Sequence, residues 1–149
     1  MGKIELEVEI KSSPDKFWDG ICDSTVIFPK IFPKQYKSIE IVEGDGKSVG
    51  TVRLVTYGEE IPIVTFAKER IDVADETTKS LAYSVIDGEI ATLFKFFTAK
   101  MQVSPKGGGS TVKFSVDFEK ASDEVPDPDL ILELAMKTFT EFDAYLLKA

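Results

Sequence analysis

The sequence predicts an α+β domain in which a seven-stranded antiparallel sheet packs against one long C-terminal helix. Most of the chain alternates apolar and polar residues with a period of two, which is typical of strands with one buried face. The final stretch, Asp129–Ala149, instead repeats with a period near 3.6, which indicates an amphipathic helix. Two short helical segments follow the first strand.

The first strand is predicted over Lys3–Lys11, where aliphatic residues alternate with three glutamates. Ser13–Asp15 then interrupts the alternation, and apolar residues follow at helical spacing as far as Ile21. A second helix is predicted over Val26–Phe32. It must be brief, because one proline lies inside it and another directly follows it.

Six further strands are predicted, separated by short, turn-rich segments that suit antiparallel neighbours. They are, in order, a segment from Lys37 through Ile41, Val49–Tyr57, Ile63–Val73, Lys79–Ile86, Leu93–Val103 and Thr111–Glu119. The alternation of the last two strands points several apolar side chains inward, among them Phe97, Ala99, Met101 and Phe114. We find no repeat and no linker, so residues 1–149 are predicted to form a single domain.

The closing helix has a marked start, with Asp127 as a candidate cap and Pro128 suited to the first helical position. A sheet must curve if a single helix is to cover one of its faces. The apolar arc of the helix is predicted to contain Ile131, Leu134, Ala135, Thr138, Phe139, Phe142, Tyr145 and Leu146.

Composition excludes several classes of protein. A net charge of −8 repels nucleic acids and anionic membranes, and no apolar run is long enough for a membrane span. The single cysteine, Cys22, rules out an internal disulfide framework and favours a reducing compartment. We therefore expect a cytoplasmic monomer without a nucleic-acid partner, stable membrane insertion or cofactor.

The segment Glu43–Gly50 contains Gly-Lys-Ser, the end of a phosphate-binding loop. The complete motif requires glycine at position 41, where the chain has Ile41, and a helix after the serine, where a strand is predicted. A tight turn between two strands is therefore the favoured interpretation.

The absence of histidine removes the usual base of a serine or cysteine nucleophile, and one cysteine cannot build a zinc cage. We therefore predict no metal site and no catalytic triad.

If strand parity holds, Arg53, Lys68, Arg70 and Lys95 point inward, and a desolvated lysine can then act as a base or Schiff-base nucleophile. The alternative, which we favour, is that these cations reach solvent or a carboxylate.

Aromatic residues are unusually numerous on the strand and helix faces that point inward. A curved sheet around one helix encloses more volume than they obviously fill. Tyrosine hydroxyls and Arg53 would be costly to bury without partners, and apolar pockets with a few polar anchors are typical small-molecule sites. The aromatic residues are Phe28, Tyr36, Tyr57, Phe66, Tyr83, Phe97, Phe114, Phe139 and Phe142.

Several segments together resemble the plant major latex proteins, which belong to the superfamily of the birch pollen allergen and the pathogenesis-related class ten proteins. The resemblance extends over essentially the whole chain. The segments that carry it are Phe28–Pro33, Glu43–Gly46, Tyr83–Gly88, the run from Lys120 to Pro128, and Asp143–Leu147.

The resemblance implies a helix-grip fold with a hollow interior that carries steroid-like, flavonoid-like or lipid-like molecules in defence and stress responses. It also implies which residues face the cavity, with Phe28 and Tyr36 near its mouth. Those on the strands and the last helix are Arg53, Val55, Tyr57, Val64, Phe66, Leu81, Tyr83, Ile131, Leu134 and Thr138. With Phe97, Ala99, Met101 and Phe114 from the alternation, these residues form the predicted ligand-binding set.

Relatives with other activities differ at the segments that matter. Abscisic-acid receptors carry gate and latch sequences that are absent from Gly58–Pro62 and Asp87–Ala91, so control of a phosphatase is not expected. Norcoclaurine synthases need a pocket lysine with an acid and a tyrosine, for which Lys95 and Tyr83 are candidates without an evident inward carboxylate.

The sequence thus predicts a carrier without catalytic residues, anchored by Tyr57, Tyr83 and Arg53. The alternative is a condensing or isomerising enzyme that uses Lys95 or Lys68. A weaker idea is a protein-binding patch at Ile31 and Phe32.

Overall fold

A computed structural model describes residues 2–61 and 64–148 of the chain. Three positions named in the sequence analysis lie outside the described residues. They are the loop residue Pro62, the predicted strand start at Ile63 and the predicted helix end at Ala149. The elements are β1 Gly2–Ile10, α1 Pro14–Cys22, α2 Ser24–Ile31, β2 Tyr36–Glu43, β3 Val52–Tyr57, β4 Phe66–Asp75, β5 Ser80–Gly88, α3 Glu89–Leu93, β6 Phe94–Lys106, β7 Gly109–Lys120 and α4 Asp129–Lys148. The predicted fold class is confirmed.

All seven strands form one antiparallel sheet in the order β1-β7-β6-β5-β4-β3-β2. Strands β2 to β7 are a meander, and β1 forms the edge of the sheet beside β7, where Leu6 lies opposite Phe114. No helix in the described part of the chain is both long and apolar enough to cross a membrane.

In β4, the side chains that face the core are the ones that the sequence analysis placed on the opposite face. Its buried side chains are Ala67, Glu69 and Ile71, whereas Phe66 is 36% exposed and Arg70 is also exposed. Residues 64–65 are not part of a strand, so the two-residue period that begins at Val64 does not continue into β4. The inward placement of Phe66, Lys68 and Arg70 therefore fails.

Helix α3 was not predicted, because five residues are too few to show a helical period. It follows Gly88, whose φ is 106°; a side chain there would also come within 2.3 Å of the Phe66 carbonyl oxygen. The Glu89 carboxylate accepts hydrogen bonds from the Thr65 hydroxyl and backbone N–H and from the Phe66 N–H. Helix α3 is thereby tied to the start of β4.

Of the predicted apolar arc, helix α4 buries Ala135, Thr138, Phe139, Phe142 and Leu146. Ile131 and Leu134 are half-buried, and Tyr145 is 39% exposed. The helix begins at Asp129, and the Asp127 carboxylate pairs with Lys120 at 2.7 Å. The predicted patch at Ile31 and Phe32 is also wrong, because Phe32 is buried with its ring 5.5 Å from that of Phe28.

Aromatic side chains pack α1 against the C-terminal half of α4. Phe17 is fully buried, and its ring lies edge-on to Phe139 and Phe142 with centroids 6.0 and 5.6 Å apart. A Cβ atom on Gly20 would lie 2.6 Å from the Phe142 ring, so only glycine permits this helix–helix distance.

We predict that Gly20→Ala lowers the free energy of unfolding by about 1 to 3 kcal/mol, because the Phe142 ring must shift within a packed core. The higher helix propensity of alanine, worth about 1 kcal/mol, does not compensate. Urea denaturation measures the change. Gly108→Ala is the control, since nothing lies within 4 Å of the added methyl group; equal stability of the two variants would contradict the prediction.

Asp143 fixes α4 to the corner between β1 and α1. Its carboxylate accepts hydrogen bonds from the Lys11 and Ser12 N–H groups, both 2.9 Å away, and from the Ser12 hydroxyl at 2.6 Å. Burial alone would raise the pKa of Asp143, but these hydrogen bonds outweigh burial and lower it below its ordinary value. The ionised carboxylate therefore stabilises the folded state.

We predict that Asp143→Asn destabilises the protein by about 1 to 3 kcal/mol at pH 7, because an amide donor replaces an acceptor. Since the folded pKa is the lower one, the stabilisation is present above the unfolded pKa and is lost as pH falls through the folded pKa. The difference from wild type should therefore shrink below about pH 4. Glu141→Gln, an exposed change on the same helix, is the control in urea titrations at both pH values.

Candidate ligand-binding site

A cavity of about 110 Å³ lies between the sheet and α4, and we call it the inner chamber. Side chains from every element except β1 line it, because the curved sheet and the helices converge on this space. They are Ile21, Ser24, Phe28, Tyr36, Ile39, Arg53, Val55, Tyr57, Glu69, Leu81, Tyr83, Val85, Ile90, Phe97, Met101, Phe114, Ile131, Leu134, Ala135, Thr138 and Phe139.

A second space of about 330 Å³, the outer cleft, lies between α3, the start of α4 and the loop before β4. Ile90, Ile131 and Leu134 line both the outer cleft and the inner chamber, so these three side chains form the partition between them. The other cleft residues are Gln35, Glu60, Ile61, Val64, Leu93, Phe94, Val125, Pro126, Asp127, Pro128, Leu130, Glu133 and Lys137.

Most of the residues predicted to bind a ligand lie on the chamber wall. These are Phe28, Tyr36, Arg53, Val55, Tyr57, Leu81, Tyr83, Phe97, Met101, Phe114, Ile131, Leu134 and Thr138. Val64 lies in the outer cleft instead. Phe66 points away from the chamber, and Ala99 is fully buried between Tyr83 and Val116 of the neighbouring strands, where its methyl group does not reach the cavity.

Sequence reasoning missed Ile21, Ser24, Ile39, Glu69, Val85, Ile90, Ala135 and Phe139. Some of these carried a usable signal. Val85 continues the inward parity of Tyr83, and Ala135 and Phe139 were already placed on the inward arc of the last helix. Ser24 and Glu69 carried none, because polar residues are normally assigned to the solvent face.

Arg53 and Glu69 form a buried ion pair on the chamber wall. They lie directly opposite each other on β3 and β4, and the Arg53 Nη2 lies 2.9 Å from the Glu69 Oε1. The Arg53 Nη1 donates to the Ser24 hydroxyl at 3.1 Å and to the Thr25 hydroxyl at 3.4 Å. Only 9% of Arg53 and 6% of Glu69 are exposed, so Glu69 is an inward carboxylate that was not evident from the sequence.

Burial raises the pKa of Glu69, and the adjacent Arg53 guanidinium opposes that rise. Burial also raises the pKa of Tyr36 to about 12, although the Thr138 hydroxyl acts in the opposite direction. The pKa values of Tyr57 and Tyr83 lie well above the ordinary range, first because of burial and then because of the Glu69 charge. The chamber therefore presents neutral phenols that can donate or accept hydrogen bonds.

The lysines proposed for catalysis do not face the chamber. Lys95 lies at a bulge of β6 with its side chain 64% exposed, and its Nζ is 3.4 Å from Glu119 on the outer surface. Lys68 does not line either space. The prediction that these cations point into the chamber is thus wrong for both lysines and correct for Arg53. Among the residues described, no group of three Cys, Asp or Glu side chains could hold a metal ion.

Comparison with known proteins assigns the family. The Pathogenesis-related protein Bet v 1 family matches residues 1–149. The chain belongs to this family. It is 46% identical to MLP-like protein 423 of Arabidopsis thaliana over 147 residues, covering 99% of the chain and 95% of that relative.

Solved structures agree with this assignment. The crystal structure of ginseng major latex-like protein 151 from Panax ginseng has a TM-score of 0.87 at 29% identity, covering 98% of this chain and 97% of that one. Norcoclaurine synthase from Thalictrum flavum has a TM-score of 0.76 at 22% identity, covering 99% and 87%. At that identity the likeness concerns the Bet v 1 fold alone.

The raised pKa values predict how the tyrosines titrate. Absorption of tyrosinate near 295 nm at pH 11 should be clearly lower in the native protein than in urea-unfolded protein, because Tyr36, Tyr57 and Tyr83 stay protonated while the fold persists. The triple replacement of these residues by phenylalanine should leave the native signal nearly unchanged. If the triple variant instead lost much of the native absorption at 295 nm, the raised pKa values of these three tyrosines would be contradicted.

Proposed function

We propose that this Bet v 1 family protein is an intracellular carrier of hydrophobic small molecules of steroid-like, flavonoid-like or lipid-like chemistry, acting in plant defence or stress responses. The observation that carries the proposal is an apolar-walled inner chamber beneath α4, adjacent to a larger apolar cleft. Small-molecule sites combine such walls with a few polar groups, here Arg53, Glu69 and the three tyrosines.

The volumes constrain how a ligand could sit. A dry cavity of about 150 Å³ holds benzene, whereas sites for drug-sized ligands begin near 300 Å³. The inner chamber, at about 110 Å³, is smaller than that benzene cavity and therefore suits at most one ring or the end of a chain. The outer cleft, at about 330 Å³, suits the rest of the molecule. A ligand that occupies both spaces must displace the partition formed by Ile90, Ile131 and Leu134.

Affinity in such a site comes mainly from apolar burial. Each Å² of apolar surface removed from water contributes roughly 25 cal/mol, and losses from ordering the ligand and side chains reduce the total. Because this term depends on area more than on chemical identity, we expect the protein to accept a range of apolar molecules of similar size.

The proposal predicts that filling the inner chamber abolishes binding. Ala135 lines the chamber from α4, so Ala135→Phe should place a ring in it and weaken the uptake of a fluorescent apolar probe by at least about tenfold, equivalent to 1.4 kcal/mol. Met136→Phe adds a ring at the next position, which is 47% exposed, and is the matched control. Saturation titrations followed by probe fluorescence measure both.

Two results would count against the carrier. One is the absence of saturable probe binding by the wild-type protein. The other is equal affinity of the Ala135→Phe and Met136→Phe variants, which would place the probe on the surface. Circular dichroism should verify that both variants remain folded.

A further inference from the structure

The ion pair in the inner chamber has a consequence for the charge of the ligand. Among the described residues, Arg53 and Glu69 are the only charged side chains that line this chamber. Their charges are equal and opposite, and the contact between Nη2 and Oε1 is 2.9 Å. The chamber wall therefore has apolar and polar parts, but the net charge of the side chains that line it is zero.

A charged ligand group would lose its hydration on entering this space without gaining a free counter-charge. A carboxylate would find the guanidinium already neutralised by Glu69, and an ammonium would find the carboxylate already neutralised by Arg53. Burying an unpaired charge is far more costly than burying a neutral group that forms hydrogen bonds. A hydroxyl or carbonyl group, by contrast, can bond with the phenols of Tyr57 and Tyr83.

We propose that the inner chamber is selective for electrically neutral ligands, and that Glu69 is the residue that excludes anions. This inference rests on the proposed carrier function and adds the ligand's charge class to it. Specificity here arises from an element that penalises the wrong ligand, because Glu69 occupies the counter-charge an anion would need.

The geometry around Arg53 also shows what loss of Glu69 would create. The Nε and Nη2 atoms share one edge of a guanidinium, and Glu69 accepts only from Nη2. Within residues 2–61 and 64–148, the Arg53 Nε is the buried side-chain polar atom that has no hydrogen-bond partner. Without the Glu69 charge, this edge could bind a carboxylate through both nitrogens.

The test uses three single-ring probes of nearly equal size: the neutral benzyl alcohol, the anionic benzoate and the cationic benzylammonium. Equilibrium dialysis at pH 7.5 against the wild-type protein should show that the alcohol binds at least about tenfold more tightly than either ion. Equal binding of the alcohol and benzoate would overturn the proposal. This comparison needs no variant, which matters because removing one partner of a buried ion pair is destabilising.

The variant Glu69→Gln tests whether Glu69 excludes anions from the inner chamber. It should raise the affinity for benzoate, relative to that for benzyl alcohol, at least about tenfold above the wild-type ratio. Glu119→Gln is the matched control, because Glu119 also pairs with a cation, Lys95, but does so outside the chamber. A folded Glu69→Gln variant with wild-type selectivity would overturn the role of Glu69.

The outcomes separate this inference from the carrier function. Saturable binding of all three probes with equal affinity supports a carrier but overturns charge selection. No saturable binding of any probe by the wild-type protein overturns the carrier and, with it, this inference. Preference for the alcohol that is lost in Ala135→Phe supports both.

Discussion

The architecture depends on the unequal packing of the two halves of α4. In the C-terminal half, Phe142 is fully buried against α1, and Asp143 is bonded to backbone and side-chain donors at the end of β1. In the N-terminal half, Ile131 and Leu134 are only partly buried and face the inner chamber and the outer cleft. One helix therefore anchors the fold at one end and forms a cavity wall at the other.

This division makes an internal cavity thermodynamically tolerable. At about 24 cal/mol per Å³, leaving 110 Å³ unfilled costs on the order of 3 kcal/mol, a large fraction of the stability of an ordinary domain. The contact between Phe17 and Phe142 and the three hydrogen bonds to Asp143 involve residues that line neither the inner chamber nor the outer cleft. Rearrangement of the partition can therefore occur without loss of the anchored end.

The sequence predicted the strands, their order along the chain and the last helix, because β1, β6 and β7 alternate clearly between apolar and polar residues and the last helix has a period near 3.6. It failed at β4, where a break before Phe66 resets the period and an acidic residue, Glu69, faces inward. Patterns of polarity assign such a residue to solvent. Only the pairing of Arg53 with Glu69 across two strands explains its position, and that register is a property of the folded sheet.

The Arg53–Glu69 pair is difficult to explain by stability alone. A buried ion pair pays a desolvation penalty that its attraction often only balances, and apolar residues of similar volume can serve as well or better. Here the pair borders a cavity, and the Arg53 Nε has no hydrogen-bond partner. The protein therefore leaves one hydrogen-bond donor of the guanidinium unused. A solid core would gain nothing from this arrangement. A chamber that must admit apolar molecules and reject ions would gain selectivity, because a compensated pair offers hydrogen bonds without offering a net charge.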